Sequence, residues 1–220
     1  MAEQMSKESI ERVWQDVIAT ACRTAGAGLV VGTSGNVSAR VGSLVVVTPS
    51  GVPYEQLTVA DVVAVDLAGQ QMVGDLKPTS ELPLHLEVYR NSQARAVVHT
   101  HAVHATAVST LVDELPPIHY MTADLGGPVR VAPYALYGTD ELARNMRRAL
   151  AGRTACLLQN HGTIAHGDTL ARAYDRTAQL EWMCQVWLTA SSVPGLRPSL
   201  LSSAQLDEVA ARLRGYGQRP

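Results

Sequence analysis

Cysteine is scarce in this sequence, and paired cysteines are lacking. The 220 residues include three cysteines, at positions 22, 156 and 184, and no C-x-x-C motif. An odd number of separated cysteines in apolar surroundings predicts free thiols in a reducing compartment and argues against a disulfide framework. We therefore expect a cytoplasmic protein.

Long apolar runs and clusters of one charge are also missing. The most apolar runs, such as residues 44–48, are far too short to cross a bilayer. The polar stretch 1–6 has no apolar core of the kind found in a signal peptide. The formal net charge is -2, with acids and bases scattered along the chain, so we expect neither nucleic acid nor a membrane as a partner.

The residues that are present are typical of one globular domain. Hydrophobic residues make up 46% of the chain, which argues against a disordered protein. The length is enough to bury a sizeable core, and no linker, repeat or low-complexity segment divides the sequence. We expect a single domain that covers residues 1–220.

Short β-rich runs and segments of helical period are mixed along the chain. Turns at Val41-Gly42 and Ala68-Gly69 predict two early hairpins, and helices are expected after the capping residues Thr139 and Ser202. Hairpin-length connections favour an α/β fold with a largely antiparallel sheet and helices packed on its faces. The predicted strands are residues 36–40, 43–48, 62–67, 70–73, 96–101, 129–132, 154–159 and 162–165, and the other predicted helices are residues 10–21, 81–90, 104–111 and 168–190.

A His-x-His pair ends one of the predicted strands. Side chains two positions apart on a strand point to the same side, so His99 and His101 can present two imidazoles to one metal ion. The alternative is a hydrogen-bonded polar pair without a metal. An isolated His-x-His motif does not decide between them.

Two further residues favour the metal. His161 lies in a polar break between two apolar runs, and Gly162 after it allows the backbone to approach a site closely. Glu81 follows Lys77-Pro78-Thr79-Ser80, where it could also be an ordinary acid of a helix's first turn. Three imidazoles and a carboxylate match the preference of zinc for about four nitrogen or oxygen ligands, and Glu81 is our candidate for a ligand that can leave.

Three small, polar segments are rich in hydroxyl and backbone N–H donors. Such loops form concavities that bind anions, although each segment alone could be an ordinary turn. The sequence contains neither the G-x-x-x-x-G-K-[ST] nor the G-x-G-x-x-G nucleotide-binding pattern. We therefore expect a phosphate held mainly by neutral groups. The segments are residues 32–36, with Thr33 and Asn36, then Ser50-Gly51, and then Thr79-Ser80.

The other histidines and two tyrosines have less specific surroundings. His85 lies four residues after Glu81 on the same helical face and can support it. Tyr120 and Tyr216 can donate protons, although spacing alone marks them as ordinary surface or interface tyrosines. We expect structural roles for the remaining histidines, His104, His119 and His166.

Eight segments together resemble the class II aldolase/adducin family, in the right order and over nearly the whole chain. Each motif is modest, but the ordered set is highly specific. The segments are GTSGNVS (32–38), TPSG (48–51), KPTSE (77–81), VHTHAVH (98–104), IHYM (118–121), APY (132–134), QNHG (159–162) and GYG (215–217).

The resemblance implies a three-layer α/β/α fold around an antiparallel sheet, and a homotetramer with active sites between subunits. It implies one Zn²⁺ per subunit on His99, His101 and His161, with Glu81 as the ligand that leaves the metal to become the base. It also implies that Tyr120 of a neighbouring subunit protonates the aldehyde oxygen and that Tyr216 covers the site. The implied phosphate ligands are Thr33, Asn36, Ser50, Gly51, Thr79 and Ser80.

The activity implied is cleavage of L-fuculose 1-phosphate, or a related ketose 1-phosphate, to dihydroxyacetone phosphate and L-lactaldehyde or a related aldehyde. Within the family, a ribulose-5-phosphate 4-epimerase or another sugar-phosphate lyase or dehydratase is the alternative. The epimerase resembles the aldolase but has aspartates at the positions of Glu81 and Tyr120, which favours the aldolase. A non-catalytic, adducin-like binding module is the alternative of another class, and it would not need three ligands, a base and a phosphate loop together.

Overall fold

The computed structural model describes residues 7–215, apart from the side chain of Lys7. In this part of the chain, nine strands form one sheet in the order β4-β3-β2-β1-β5-β9-β8-β7-β6. Neighbouring strands are antiparallel except for β7 and β8, which are parallel. The strands are β1 (Asn36–Val41), β2 (Leu44–Val47), β3 (Ala64–Asp66), β4 (Gln71–Val73), β5 (Ala96–Thr100), β6 (Glu114–Leu115), β7 (Val129–Ala132), β8 (Ala155–Leu158) and β9 (Gly162–Gly167).

Helices cover both faces of this sheet and make the three-layer α/β/α arrangement that the resemblance implied. Helices α1, α3 and α5 pack on one face, α2 and α4 pack on the other, and α6 packs against a short 3-10 helix, Tyr120–Leu125. The helices are α1 (Lys7–Gly26), α2 (Leu82–Asn91), α3 (Val103–Ser109), α4 (Asp140–Ala149), α5 (Leu170–Ser191) and α6 (Ser203–Leu213).

The alternation of side chains along β5 decides where its histidines lie. Val97 is buried in the core beneath α2 and α4, whereas Val98 is buried on the opposite face against α1. Successive strand residues point to opposite faces, so His99 lies on the same face as Val97. That face carries the beginning of α2, where Glu81 is the N-cap residue.

Most predicted elements are confirmed, with differences at turns and short elements. The first hairpin turns at Gly42-Ser43, one residue later than predicted, because Val41 pairs with Leu44 and Gly42 adopts the left-handed conformation (φ 56°). Thr139 and Ser202 cap α4 and α6 as predicted. The two-residue strand β6 and the 3-10 helix Tyr120–Leu125 were not predicted, because such short elements carry too few residues for a periodic signal.

None of the helices in residues 7–215 combines the length and the apolar character needed to cross a membrane.

Candidate metal centre

Three separate parts of the fold bring together the four residues predicted to bind metal. His99 lies near the end of β5 and pairs with Asn36 of β1, and His101 follows immediately after the strand. His161 lies in the loop between β8 and β9. Glu81 caps α2, but its side chain makes no capping hydrogen bond, so its carboxylate does not serve the helix end and reaches the imidazoles instead. We call these four residues the His–Glu cluster.

Distances within the His–Glu cluster are those of a shared site. One potential ligand atom from each residue lies within 4.8 Å of all the others. Glu81 Oε2 is 2.9 Å from His99 Nε2, and Glu81 Oε1 is 3.1 Å from His161 Nε2. His99 Nε2 is also 3.0 Å from His101 Nε2. The ring planes of the three histidines stand at 73° to 89° to one another, so nitrogen atoms converge at the centre and the rings do not stack.

The tautomer of His99 follows from its second ring nitrogen. His99 Nδ1 lies 2.7 Å from the carbonyl oxygen of Thr163 on β9. A carbonyl only accepts hydrogen bonds, so Nδ1 must carry the hydrogen, and in the neutral ring Nε2 is a bare lone pair. That lone pair points at the Glu81 carboxylate and at His101. A backbone carbonyl that orients a histidine in this way is usual at metal sites.

An orphaned oxygen also fits a cation in the His–Glu cluster. Although His161 Nε2 lies 3.1 Å from Glu81 Oε1, the two are not aligned as a hydrogen bond, and this buried oxygen has no hydrogen-bond partner among the described residues. Buried polar atoms rarely remain unsatisfied in folded proteins. A divalent cation between the lone pairs would satisfy both the oxygen and the nitrogens.

Burial and neighbouring charges shift the pKa values within the His–Glu cluster in different directions. Burial, followed by the nearby His99 and His161, lowers the pKa of His101 to about 3. Burial alone would raise the pKa of Glu81, but His99 and His161 outweigh it, and the pKa of this carboxyl lies well below its usual range. For His99 burial lowers the pKa, yet the adjoining Glu81 carboxylate raises it above the ordinary value. At neutral pH the cluster therefore offers an ionised carboxylate and a neutral His101.

The loop that carries His161 depends on two backbone features. Asn160 adopts a left-handed conformation (φ 56°), and its N–H donates to Ser109 Oγ (3.1 Å). Gly162 lies so close to β5 that a Cβ atom there would be 2.1 Å from the Thr100 carbonyl oxygen. Only glycine allows this approach, which brings His161 to the end of β5, as the sequence suggested.

The predicted phosphate loops lie beside Glu81. A bridge between Pro49 and Pro78 joins the segment before Ser50-Gly51 to the segment before Thr79-Ser80. Ser50 N–H donates to the Lys77 carbonyl, and Thr79 Oγ1 accepts from Glu81 N–H. Asn36 is buried and its Nδ2 donates to Glu81 Oε2 (3.1 Å). The hydroxyls of Ser50 and Ser80 belong to exposed residues, so they are accessible to a ligand.

Thr33 and the two tyrosines stand apart from this group. Thr33 lies in an exposed turn, and within residues 7–215 no hydrogen bond joins it to the loops of Ser50 and Thr79. Tyr120 is 51% exposed, and no hydrogen bond, ion pair or ring contact in the described chain connects it to the His–Glu cluster. Tyr216 lies outside the described residues.

An open cavity of about 380 Å³ adjoins the His–Glu cluster. Glu81, His101 and His161 form its floor, while Tyr134, Ala135, Tyr137 and Asn160 complete its lining. Both tyrosines are exposed. The cavity therefore places exposed aromatic side chains beside three members of the cluster.

The other histidines have partners away from the cluster, except His85. His104 Nδ1 lies 2.7 Å from Glu181 Oε1, and the same carboxylate accepts the N–H groups of His104 and Ala105 at the start of α3. His119 caps the 3-10 helix Tyr120–Leu125, and His166 contacts the Arg153 carbonyl. His85 reaches Asn36, which contacts Glu81.

The sequence did not reveal the residues that hold the proposed metal ligands in place. Thr163 and Ser109 were not singled out, although one orients His99 and the other holds the Asn160 loop. Thr163 follows His161 by two residues and could have been noticed as a polar residue in an apolar strand. Ser109 carries no comparable signal, because its contact crosses 51 residues of sequence.

Comparisons with known proteins give consistent results. Residues 15–188 match the family described as "Class II Aldolase and Adducin N-terminal domain". The chain is 40% identical over 207 residues to an L-fuculose phosphate aldolase of Escherichia coli K12, covering 93% of this chain and 95% of the relative. It is 34% identical over 213 residues to a 5-deoxy-D-ribulose 1-phosphate aldolase of Bacillus thuringiensis, covering 96% and 99%. A solved L-fuculose 1-phosphate aldolase structure superposes with a TM-score of 0.89 at 32% identity, covering 96% and 98%.

Proposed function

Because this chain belongs to the class II aldolase and adducin family, we propose that it is a zinc-dependent aldolase acting on a ketose 1-phosphate. The proposed reaction is reversible cleavage of L-fuculose 1-phosphate, or a related ketose 1-phosphate, to dihydroxyacetone phosphate and L-lactaldehyde or a related aldehyde. The relatives support an aldolase, which is a lyase, and two of their names differ in the sugar phosphate.

One observation carries the proposal. Three imidazoles from distant parts of the chain and one buried carboxylate converge within 4.8 Å, and one oxygen of that carboxylate has no hydrogen-bond partner in the described chain. A non-catalytic binding module has no use for this costly arrangement of buried polar atoms. An enzyme that polarises a carbonyl and moves an adjacent proton needs both parts of it.

His99, His101, His161 and Glu81 would hold one zinc ion per subunit. Imidazole ligands favour zinc, and other divalent metals are compatible with the same set. Zinc, when bound, supplies Lewis-acid polarisation of the substrate carbonyl.

Glu81 is the proposed base. In the synthetic direction it removes the proton from the carbon next to the polarised carbonyl, and in cleavage it returns that proton to carbon. Its carboxylate is held through Oε2 by Asn36, whereas Oε1 has no hydrogen bond. As the ligand that leaves the metal to become the base, Glu81 would exchange the proton through the oxygen that has no hydrogen bond, while Asn36 holds the other.

Two tyrosines are proposed to complete the site. In cleavage, Tyr120 from a neighbouring subunit takes the hydroxyl proton as the carbon–carbon bond breaks, and in synthesis it protonates the same oxygen. Tyr120 is 51% exposed, and its ring contacts His119 and not the His–Glu cluster of its own chain. Both observations support a role in the active site of a neighbouring subunit. Tyr216 is proposed to cover the substrate.

The substrate phosphate is proposed to lie in the loops beside Glu81. The exposed Ser50 and Ser80 flank the buried Thr79 in two segments joined by the Pro49–Pro78 bridge. Hydroxyl and backbone donors can hold a phosphate without a nearby arginine fork. The full proposed set is Thr33, Asn36, Ser50, Gly51, Thr79 and Ser80.

At the level of the whole protein, we propose a cytoplasmic location and a single domain of residues 1–220 that assembles into a homotetramer with active sites between subunits. The exposure of Tyr120 supports active sites between subunits, because its side chain is free to contact a substrate bound to a neighbouring subunit.

The decisive experiment is an aldol cleavage assay. L-fuculose 1-phosphate and 5-deoxy-D-ribulose 1-phosphate should each be tested with and without a metal chelator, with L-ribulose 5-phosphate as the control for epimerisation. Release of dihydroxyacetone phosphate that stops with the chelator and returns with added zinc is expected. Epimerisation of ribulose 5-phosphate without cleavage of either ketose 1-phosphate would refute the proposed reaction.

A further inference from the structure

A line of buried side chains runs from the Glu81 carboxylate into the core between α2 and β1. Asn36 Nδ2 donates to Glu81 Oε2 at 3.1 Å, and Asn36 Oδ1 lies 2.5 Å from His85 Nε2. The other ring nitrogen of His85, Nδ1, lies 2.6 Å from Ser38 Oγ, which is 2.7 Å from the Tyr89 hydroxyl. Ser38 and His85 are fully buried, and Asn36 and Tyr89 are at most 4% exposed.

The side chains of this hydrogen-bonded line come from two elements, at a spacing of four residues on α2 and of two residues on β1. Glu81, His85 and Tyr89 are four residues apart, so they share one face of α2. Asn36 and Ser38 are two residues apart on β1 and share the face of the strand that meets this helix. The polar face of the helix and that of the strand are thus matched residue by residue in an otherwise apolar core.

The direction of every hydrogen bond follows from the carboxylate at one end. An ionised carboxylate only accepts, so Asn36 must turn its NH₂ group towards Glu81 and its carbonyl towards His85. His85 must then donate from Nε2, which leaves Nδ1 to accept from Ser38. The Ser38 hydrogen is used by His85, so the Tyr89 hydroxyl must donate to Ser38 Oγ. All four donors point towards Glu81.

Burial keeps His85 and Tyr89 neutral. It is the largest cause that lowers the pKa of His85 to about 3, with His99 adding to the effect and Glu81 opposing it. Burial also raises the pKa of the Tyr89 hydroxyl above its ordinary value. With His85 neutral, its two nitrogens can act as one donor and one acceptor, as the chain requires.

We infer that Ser38, His85 and Tyr89 are positioning residues that prevent the Asn36 amide from flipping and thereby hold Glu81 by one oxygen. A flipped amide would place its carbonyl against the carboxylate and its NH₂ group against the His85 N–H, so both contacts would become repulsive. The role of Glu81 as base and metal ligand rests on the proposed function. The hydrogen-bond directions rest only on the geometry.

The tautomer of His85 tests the directions without any assay of activity. Nitrogen-15 NMR of the metal-free protein at pH 7 should show His85 with its hydrogen on Nε2. Hydrogen on Nδ1 would reverse the chain and overturn the inference, whatever the protein catalyses.

Substitutions that interrupt the hydrogen-bonded line test its effect on Glu81. Ser38→Ala should weaken zinc affinity about 10-fold, the lower end of what outer-shell partners contribute, measured by competition with a chromogenic chelator. It should also lower kcat for proton exchange on dihydroxyacetone phosphate about 10-fold, with KM changed less than about 2-fold. His85→Leu should lose at least as much in both measurements, whereas His85→Gln, which retains an N–H for Asn36, should recover most of the loss.

Thr177→Val is the matched control, because Thr177 is a fully buried threonine on α5 whose hydroxyl donates to the Ala173 carbonyl within the same helix. Thr177→Val is expected to lower only thermal stability. If Ser38→Ala and His85→Leu behaved in the same way, while zinc affinity and exchange kept wild-type values, the residues would be structural and the inference would be wrong. A wild-type protein without proton exchange would refute the proposed function alone, because zinc affinity and the His85 tautomer would still decide the inference.

Discussion

The ring of His99 illustrates how one residue combines structural and chemical demands. Its Nδ1 is committed to the Thr163 carbonyl of β9, and its Nε2 faces Glu81 and His101. The ring is fully buried, so Nε2 must find its partner inside the protein and not in bulk water. At the scale of single residues, the His–Glu cluster brings imidazole nitrogens and a carboxylate within contact distance of one another.

We predict that His99→Ala abolishes both metal binding and cleavage. Loss of an outer-shell partner costs roughly 10- to 100-fold in metal affinity, so loss of a ligand should exceed about 100-fold. Metal content after dialysis and cleavage of L-fuculose 1-phosphate would be measured together. His166→Ala, a histidine outside the cluster, is the control, and a His99→Ala protein that kept zinc and turnover would remove His99 from the site.

Glu81→Gln should separate binding from proton transfer. The amide retains an oxygen for the metal but cannot accept the substrate proton, so much of the metal should remain while proton exchange on dihydroxyacetone phosphate falls by about 10²- to 10⁴-fold. Exchange would be followed by loss of a tritium label. Full exchange in this variant would show that another group is the base.

Tyr120→Phe should impair cleavage more than proton exchange. Its proposed proton transfer belongs to carbon–carbon bond breaking and not to the exchange step, so cleavage should fall by about 100-fold or more and exchange by much less. Both rates would be measured on one preparation. Equal losses in the two assays would contradict the assigned role.

The β8–β9 hairpin is the element that completes the cluster. Gly162 approaches the Thr100 carbonyl so closely that no other residue fits without movement of one strand. The same hairpin holds His161 opposite Glu81. Its geometry therefore links a packing constraint between strands to the position of one proposed metal ligand.

Gly162→Ala should therefore weaken both the fold and metal binding. A Cβ atom 2.1 Å from a backbone oxygen must displace β9 or β5, at a cost of about 1–3 kcal/mol in the free energy of unfolding, and should lower zinc affinity because His161 moves. Urea unfolding and chelator competition would be measured. Gly26→Ala, where a Cβ atom meets nothing within 4 Å, is the control and should leave zinc affinity unchanged.

At the scale of the whole molecule, buried neutral histidines make the stability of the metal-free protein depend on pH. The pKa of His85 is lowered to about 3 by burial and by His99, whereas an unfolded chain has a histidine pKa of about 6.5. Between these values the unfolded state binds more protons. The contribution of His85 is therefore fully present above about pH 6.5 and is lost as the pH falls towards 3.

We predict that His85 alone accounts for about 1.4 kcal/mol of stability lost between pH 7.5 and pH 5.5. The urea midpoint of the metal-free protein should fall over this range, and His85→Gln should show a smaller fall because its side chain does not titrate. His99, whose pKa is raised, acts in the opposite direction, so the difference between the two proteins is the informative quantity. Parallel pH profiles for both would contradict the prediction.

The sequence was most informative where local rules decide structure. The hairpin around Ala68-Gly69, the caps Thr139 and Ser202 and the α/β class follow from turn chemistry, capping and periodicity, and the structure confirms them. The turn at Gly42-Ser43 was misplaced by one residue, because strand pairing and not turn composition sets the register. The roles of the site residues stay predictions.

By itself, the sequence determined the residue types of the site and, through the spacing of two, the common side of His99 and His101. Only the tertiary structure decided that His161 and Glu81 meet them, and that Ser38 and Tyr89 stand behind His85. The physical reason is range. Periodicity and capping act within a few residues, whereas β9 lies between β5 and β8, a pairing that only the packing of the complete core can select.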